Sequence, residues 1–237
     1  MKLEKIVAWL DAKLDPGSFD DVSNNGVQIA RRGADVKRVA FGVDASAAFI
    51  RAAAEAGAQL CVVHHGISWG GGVKRISGGV YEVVKAAMDA DIALYASHLP
   101  LDANRECGNN REIARFLGLT KVRPAFSYHG NVIGVVGVAA KAIDRTLGDA
   151  RVAAKRGEKI GICSGGAGEF AEEAKALGCG LYVTGEASWG DVVAAQNAGM
   201  RMVCAGHYET ETFGVRALAT AMSAELPVGT AFLPVRP

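Results

Sequence analysis

The chain has 237 residues, half of them apolar and 22% charged, a composition that supports a globular fold with a sizeable core. Lys+Arg at 26 against Asp+Glu at 25 leave a formal charge of +1. The linear sequence shows no basic stripe, which argues against nucleic acid as a partner and leaves a small molecule, phosphorylated or not, as the expected one. The five cysteines, Cys61, Cys107, Cys163, Cys179 and Cys204, are scattered and odd in number, so no disulfide framework or CxxC pair is expected.

In chain order, the first predicted element is an amphipathic helix over residues 3–14, where Leu3, Ile6, Val7, Leu10 and Leu14 recur at helical spacing between charges. This segment lacks the unbroken apolar run of a signal peptide, and no stretch of about 18 apolar residues comes after it. With unpaired cysteines, that predicts a soluble cytoplasmic protein with no membrane partner. Short apolar runs at 38–43, 60–63, 92–96, 132–138, 159–163, 181–184, 200–205 and 230–233 predict strands. Ala-rich helical stretches fall between many of them. The expected fold class is therefore α/β, with mostly parallel strands flanked by helices.

The chain also repeats itself. Residues 39–70, VAFGVDASAAFIRAAAEAGAQLCVVHHGISWG, lie over residues 160–190, IGICSGGAGEFAEEAKALGCGLYVTGEASWG. Each runs strand, small-residue turn, helix, strand, and ends in Ser-Trp-Gly. Further on, LYASHLPLD lies over VCAGHYETE, which places His98 on His207 and Asp102 on Glu211. An internal duplication is expected, giving two similar α/β half-domains at residues 1–125 and 126–237, with the C-terminal strand able to return to the first half. Because side chains just past strand ends converge in α/β sheets, a site between the halves is predicted.

Three segments carry the chemistry. His64 and His65 close an apolar strand before Gly66, and two adjacent imidazoles there are costly to bury without a partner. Asp102 comes after the strand IALYA by way of His98 and the stiffening Pro100; as a hard oxygen ligand it can bridge two cations, whereas His98 fits a supporting role behind the ligands. His207 and Glu211 stand four residues apart at a predicted helix start, on one face of its first turn. Three histidines and two carboxylates form a mixed N/O set without thiolate. It suits two divalent ions such as Fe, Zn or Mn, in open coordination, rather than a structural zinc site. Glu186, in Thr184-Gly185-Glu186, takes the place in the second half that His65 has in the first, where it could serve as an acid/base group or orient a bound water. The glycine-rich turn over residues 163–168 reads as tight strand–helix packing rather than a phosphate cradle. Trp69 and Trp189 match across the repeat and are expected in packing.

Together these segments resemble the Nif-three-like dinuclear metal-binding family, known in many genomes as GTP cyclohydrolase I type 2 homologues. DVSNNGVQ at residues 21–28, VVHHG, SHLPLDAN, GNNREIARFLGL, VTGEASWGD and AGHYETE are similar to its blocks, in the family's order. The resemblance implies His64, His65, Asp102, His207 and Glu211 as ligands, a homo-hexameric ring, and a metal-dependent hydrolase acting on a nucleotide-like or phosphorylated small molecule. Two alternatives stay open: non-catalytic metal storage, delivery or sensing, and a hexameric interaction scaffold.

Overall fold

The computed structural model describes residues 1–236. It divides into two units, one formed by Met1–Leu101 and the chain from Val215 onward, the other by Asp102–Gly214. Helix α1 (Leu3–Leu14) forms where the apolar spacing predicts it and buries Ile6, Leu10 and Leu14, each worth roughly 1.5–3 kcal/mol of removal from water. Next come β1 (Gly26–Ile29), β2 (Arg38–Asp44), α2 (Ala47–Glu55), β3 (Leu60–His65), α3 (Gly78–Asp89) and β4 (Ala93–Ala96). The unit boundary falls inside α4 (Leu99–Ala103).

The second unit holds α5 (Asn109–Phe116), β5 (Leu119–Tyr128), β6 (Asn131–Ala139), β7 (Ile143–Leu147), β8 (Ala150–Ala154) and β9 (Lys159–Gly166). It continues through α6 (Ala171–Ala176), β10 (Leu181–Glu186), α7 (Trp189–Asn197) and β11 (Arg201–Cys204). The long helix α8 (His207–Glu225) then carries the chain back, and β12 (Gly229–Phe232) joins the first sheet.

The first sheet has the order β1-β4-β3-β2-β12, in which β4, β3, β2 and β12 run parallel and β1 runs antiparallel to β4. Its central strands are almost continuously buried, as sheets covered by helices on both faces require. The second sheet has the order β11-β10-β9-β6-β5. There β11, β10 and β9 are parallel, whereas β6 is antiparallel to β9 and to β5. The same parallel trio with its two intervening helices, β2-α2-β3-α3-β4 and β9-α6-β10-α7-β11, recurs in each unit, where the sequence overlay falls. The antiparallel additions have a local cause: β5 and β6 are joined by a turn at His129-Gly130, and so short a connection allows only a hairpin.

The boundary found differs from the one expected after residue 125. Ile113 and Ala114 on α5, with Leu117 and Leu119, belong to the second unit's core beside Val135, Ile160 and Ile162, so residues 102–125 fold with the second half. At the other end, Val215, Leu218 and Met222 are buried on the first unit's part of α8, and Leu233 and Val235 pack on the first core. Strand β5 escaped the periodicity because it is a sheet edge with little burial; Pro124 lies within it, as edges tolerate. Strands β7 and β8 form a short separate hairpin. Among the described residues no helix is long and apolar enough to cross a membrane.

Helix α7 opens with a capping box in which the Ser188 hydroxyl accepts from the Asp191 N–H and the Asp191 carboxylate accepts from the Ser188 N–H. This start leaves the next residue, Trp189, 81% exposed, so its packing role is not realised. Ser188→Ala is expected to cost about 1 kcal/mol, read as a lower urea midpoint with unchanged slope; an unchanged midpoint would show that the cap contributes nothing.

Candidate metal centre

In the first unit the end of β3 delivers His64 and His65, and the chain after β4 delivers His98. All three are fastened in the same way. The His64 Nδ1 lies 2.9 Å from the Ser97 carbonyl oxygen, the His65 Nδ1 2.9 Å from Asp44 Oδ1, and the His98 Nδ1 2.9 Å from Asp21 Oδ1. A carbonyl oxygen only accepts, so His64 donates from Nδ1, and carboxylate oxygens face Nδ1 in the other two. Ring nitrogens of the three lie within 4.8 Å of one another, a spacing at which they could hold a metal ion. Trp69 stands edge-on to His98, with ring centroids 5.2 Å apart.

Behind this group the segment 21–28, a loop running into β1, is an organiser. Asp21 accepts from His98 Nδ1, Asn25 Nδ2 and the N–H groups of Ser23 and Leu99. Burial on its own would raise the Asp21 carboxyl, but the hydrogen bonds from His98 and Asn25, the His98 charge and the Ser23 N–H outweigh it and hold the group at about 2. Gln28 accepts from the N–H groups of Ile67 and Ser68, fixing the turn after Gly66. Asp44 ends β2 in register with His65 on β3, a pairing set by how the two strands align in the sheet. Asp21 and Gln28 lie in the quoted signature, yet no local pattern assigns them these tasks.

In the second unit Asp102 is 8% exposed, and its Oδ1 accepts from Asn109 Nδ2 at 2.8 Å and Ser164 Oγ at 3.0 Å. Asn109 in turn accepts from the Gly214 N–H. At the start of α8, His207 Nε2 lies 3.1 Å from Glu211 Oε1 and His207 Nδ1 3.1 Å from Glu186 Oε1. The hydrogen bond to Glu211 raises His207 against the cost of its own burial, and the Glu211 charge and Glu186 add to it, bringing the imidazole to about 9. Ser164 bonds Asp102, and the next residue, Gly165, donates its N–H to Thr210 Oγ1 on α8. One turn thus touches the surroundings of Asp102 and of His207 and Glu211.

That turn is committed to protein partners. The N–H groups of Ser164, Gly165 and Ala167 go to Asn110, Thr210 and Thr184 side chains, so it serves packing rather than a phosphate, as its sequence suggests. Glu186 ends β10 as His65 ends β3, and it lies on a cavity of about 480 Å³ with Glu169, Ser188 and Asp191. Burial pushes the Cys61 thiol up to about 12 and that of Cys163 well above its ordinary range. The donor set is nitrogen and oxygen, which fits divalent transition metals.

The Duf34/NIF3 (NGG1p interacting factor 3) family matches residues 1–236. A Deinococcus radiodurans protein named GTP cyclohydrolase 1 type 2 homolog is 40% identical, over 97% of this chain and 92% of that protein. A solved structure described as protein ybgI, of unknown function, is similar with a TM-score of 0.86 and 27% identity, covering 100% of this chain and 99% of its own. A Thermus thermophilus crystal structure is similar with a TM-score of 0.81 and 30% identity, at the same coverage.

Proposed function

The chain belongs to the Duf34/NIF3 family, and on that footing we propose that His64, His65, Asp102, His207 and Glu211 together hold two divalent metal ions and that the protein is a metal-dependent hydrolase of a nucleotide-like or phosphorylated small molecule. The observation that carries this is the tethering of the donors: each histidine of the first unit has its Nδ1 on an oxygen acceptor, and Asp102 is oriented by Asn109 and Ser164. Buried polar side chains fixed this closely are characteristic of ligands. When bound, the ions supply Lewis acidity and charge stabilisation for attack on a carbon or phosphorus centre. Glu186 orients the His207 ring through Nδ1 and stands at the cavity with Ser188, where substrate polar groups can enter. GTP enters as one member of this substrate class through the relatives' name; the site's residues include no group specific to guanine. A homo-hexamer is the assembly we propose, checked by sedimentation at six times the chain mass.

The test is elemental analysis of purified protein beside His64→Ala and Glu211→Ala. About two equivalents of transition metal are expected in the wild type, with a clear loss in both variants, followed by turnover in a screen of nucleotides and phosphate esters with that metal. A wild-type protein that stays metal-free after reconstitution sinks the proposal. Full metal loading with no turnover across the screen would favour storage or delivery.

A further inference from the structure

We propose that the segment from Gly70 to Ser77 is a strap that closes over the histidines of the first unit when a phosphorylated ligand binds, with Lys74 and Arg75 holding the phosphate. The inference rests on the proposed hydrolase reading for the place of the ligand, and it adds the residues that hold the ligand's anionic end.

The strap starts beside the histidines. Trp69, the residue before it, has its ring centroid 6.0 Å from that of His65 and 5.2 Å from that of His98. Up to Gly70 the chain is fastened: the Gly70 N–H donates to the Val22 carbonyl at 2.6 Å, and Asn24 Nδ2 donates to Ser68 Oγ at 2.9 Å. Past Gly72 the fastening stops. Among the described residues, no hydrogen bond or ion pair involves residues 73–76. Val73 is 39% and Ile76 61% exposed, and Lys74 and Arg75 are exposed between them. Gly72 (φ +85°) and Gly78 (φ +57°) hold left-handed backbone at the two ends, and apart from chain neighbours nothing lies within 4 Å of where a side chain would begin at either. Helix α3 begins without a side-chain cap at Ser77, so movement of the strap breaks no bond there. A short exposed segment without ties, set between two glycines and beside a site, is the low-stability element from which lids are drawn.

The chemistry of the strap selects its ligand. Lys74 and Arg75 are adjacent cations, and residues 66–79 contain no Asp or Glu to neutralise them. The Lys74 stem folds back: its Cε would stand 3.8 Å from a methyl on Gly71, two residues past Trp69. The lysine is thus carried along the strap toward its anchored end. A lysine beside an arginine offers a compact charge and a planar fork of donors, a pairing that suits a phosphate with two ionised oxygens. Val73 and Ile76 flank the pair, and closure takes both out of water, an apolar gain that the open form lacks.

The experiment uses the full chain with inorganic phosphate as the probe. Trypsin is expected to cut the wild type after Lys74 and Arg75, identified by fragment mass. Phosphate at about ten times its Kd is expected to slow that cut about tenfold relative to chloride at equal ionic strength. By calorimetry, Lys74→Gln/Arg75→Gln is expected to weaken phosphate binding at least about tenfold, whereas Lys74→Arg/Arg75→Lys retains it. Ile76→Ser, which removes no charge, is expected to weaken binding about threefold, a loss that closure explains and bare charge attraction does not. Elemental analysis of the same samples keeps the two readings apart. Metal-loaded protein cut at one rate with and without phosphate, or a Lys74→Gln/Arg75→Gln protein that binds phosphate as the wild type does, overturns the strap while the hydrolase reading stands. Protection that rises with protein concentration and ignores phosphate makes the segment a contact between copies and also overturns it. A metal-free protein in which phosphate still slows the cut keeps the strap and sinks the hydrolase reading.

Discussion

Gly185→Ala is expected to destabilise the second unit by about 3 kcal/mol and, if the proposed centre holds metal through His207 and Glu211, to lower the bound metal. A methyl group on Gly185 would lie 2.6 Å from the Gly165 carbonyl oxygen, 2.7 Å from Thr210 Oγ1 and 2.8 Å from His207 Cα. Two of these are backbone atoms, so no flexible side chain can yield. Space is made only by driving the start of α8 away from the ends of β9 and β10. That movement would break the Gly165 to Thr210 bond at 3.1 Å and the Gly206 to Gly185 bond at 2.9 Å, and it would shift His207 with them. Overpacking costs about 1–3 kcal/mol, and a broken buried hydrogen bond a similar amount. Differential scanning calorimetry should show the transition on the order of 10 °C lower, and elemental analysis should show fewer bound equivalents. Gly190→Ala is the control, since its methyl would meet only Ser188 Oγ, at 3.6 Å. Wild-type melting and metal content in Gly185→Ala would overturn this account of the close approach.

Asp21→Asn is expected to cost the first unit about 3 kcal/mol. Asp21 Oδ1 accepts from the Ser23 N–H and His98 Nδ1, and Oδ2 from Asn25 Nδ2 and the Leu99 N–H. A carboxamide has one accepting oxygen, so in either orientation its NH2 faces two donors in a side chain that is 1% exposed. Two bonds are lost and two donors stranded, at about 1–3 kcal/mol for each buried group. The charge adds a pH signature in metal-free protein. The carboxyl is held at about 2, below its ordinary value of 3.8. Its stabilisation is therefore complete above the unfolded value and is lost as pH falls through about 2. The stability gap between wild type and variant, from urea titrations, should be full at neutral pH and shrink over that acid range. A gap that is absent at neutral pH would mean that Asp21 does not organise the loop.

Both variants test contacts that the linear sequence does not display. Asp21 and His98 are 77 residues apart, Asp44 and His65 are 21 apart, and Ser164 and Asp102 are 62 apart. Nothing local marks these pairs, because a carboxylate or hydroxyl in a loop has the same appearance whether it is solvated or turned inward. The unit boundary was hidden for a related reason. Residues 102–125 carry an ordinary helix and an edge strand, and only the burial of Ile113 and Ala114 in the second core shows where they belong. Trp189 matched Trp69 in the overlay, but the capping box at Ser188 turned it outward.

What the sequence by itself determined were properties governed by short-range geometry. Helical spacing made α1 amphipathic and set His207 and Glu211 one turn apart, where their side chains meet at 3.1 Å. Unbroken apolar runs made β2, β3, β4 and β10 buried strands, and the repeated order of elements made each unit carry the same parallel trio. The tertiary structure alone decided which acceptor stands behind each imidazole, how the glycine turn at Ser164-Gly165 is spent, and that His98 gathers with His64 and His65. Those outcomes depend on which strands become neighbours in the sheet, and strand pairing brings distant residues into contact through backbone hydrogen bonds that any sequence can make.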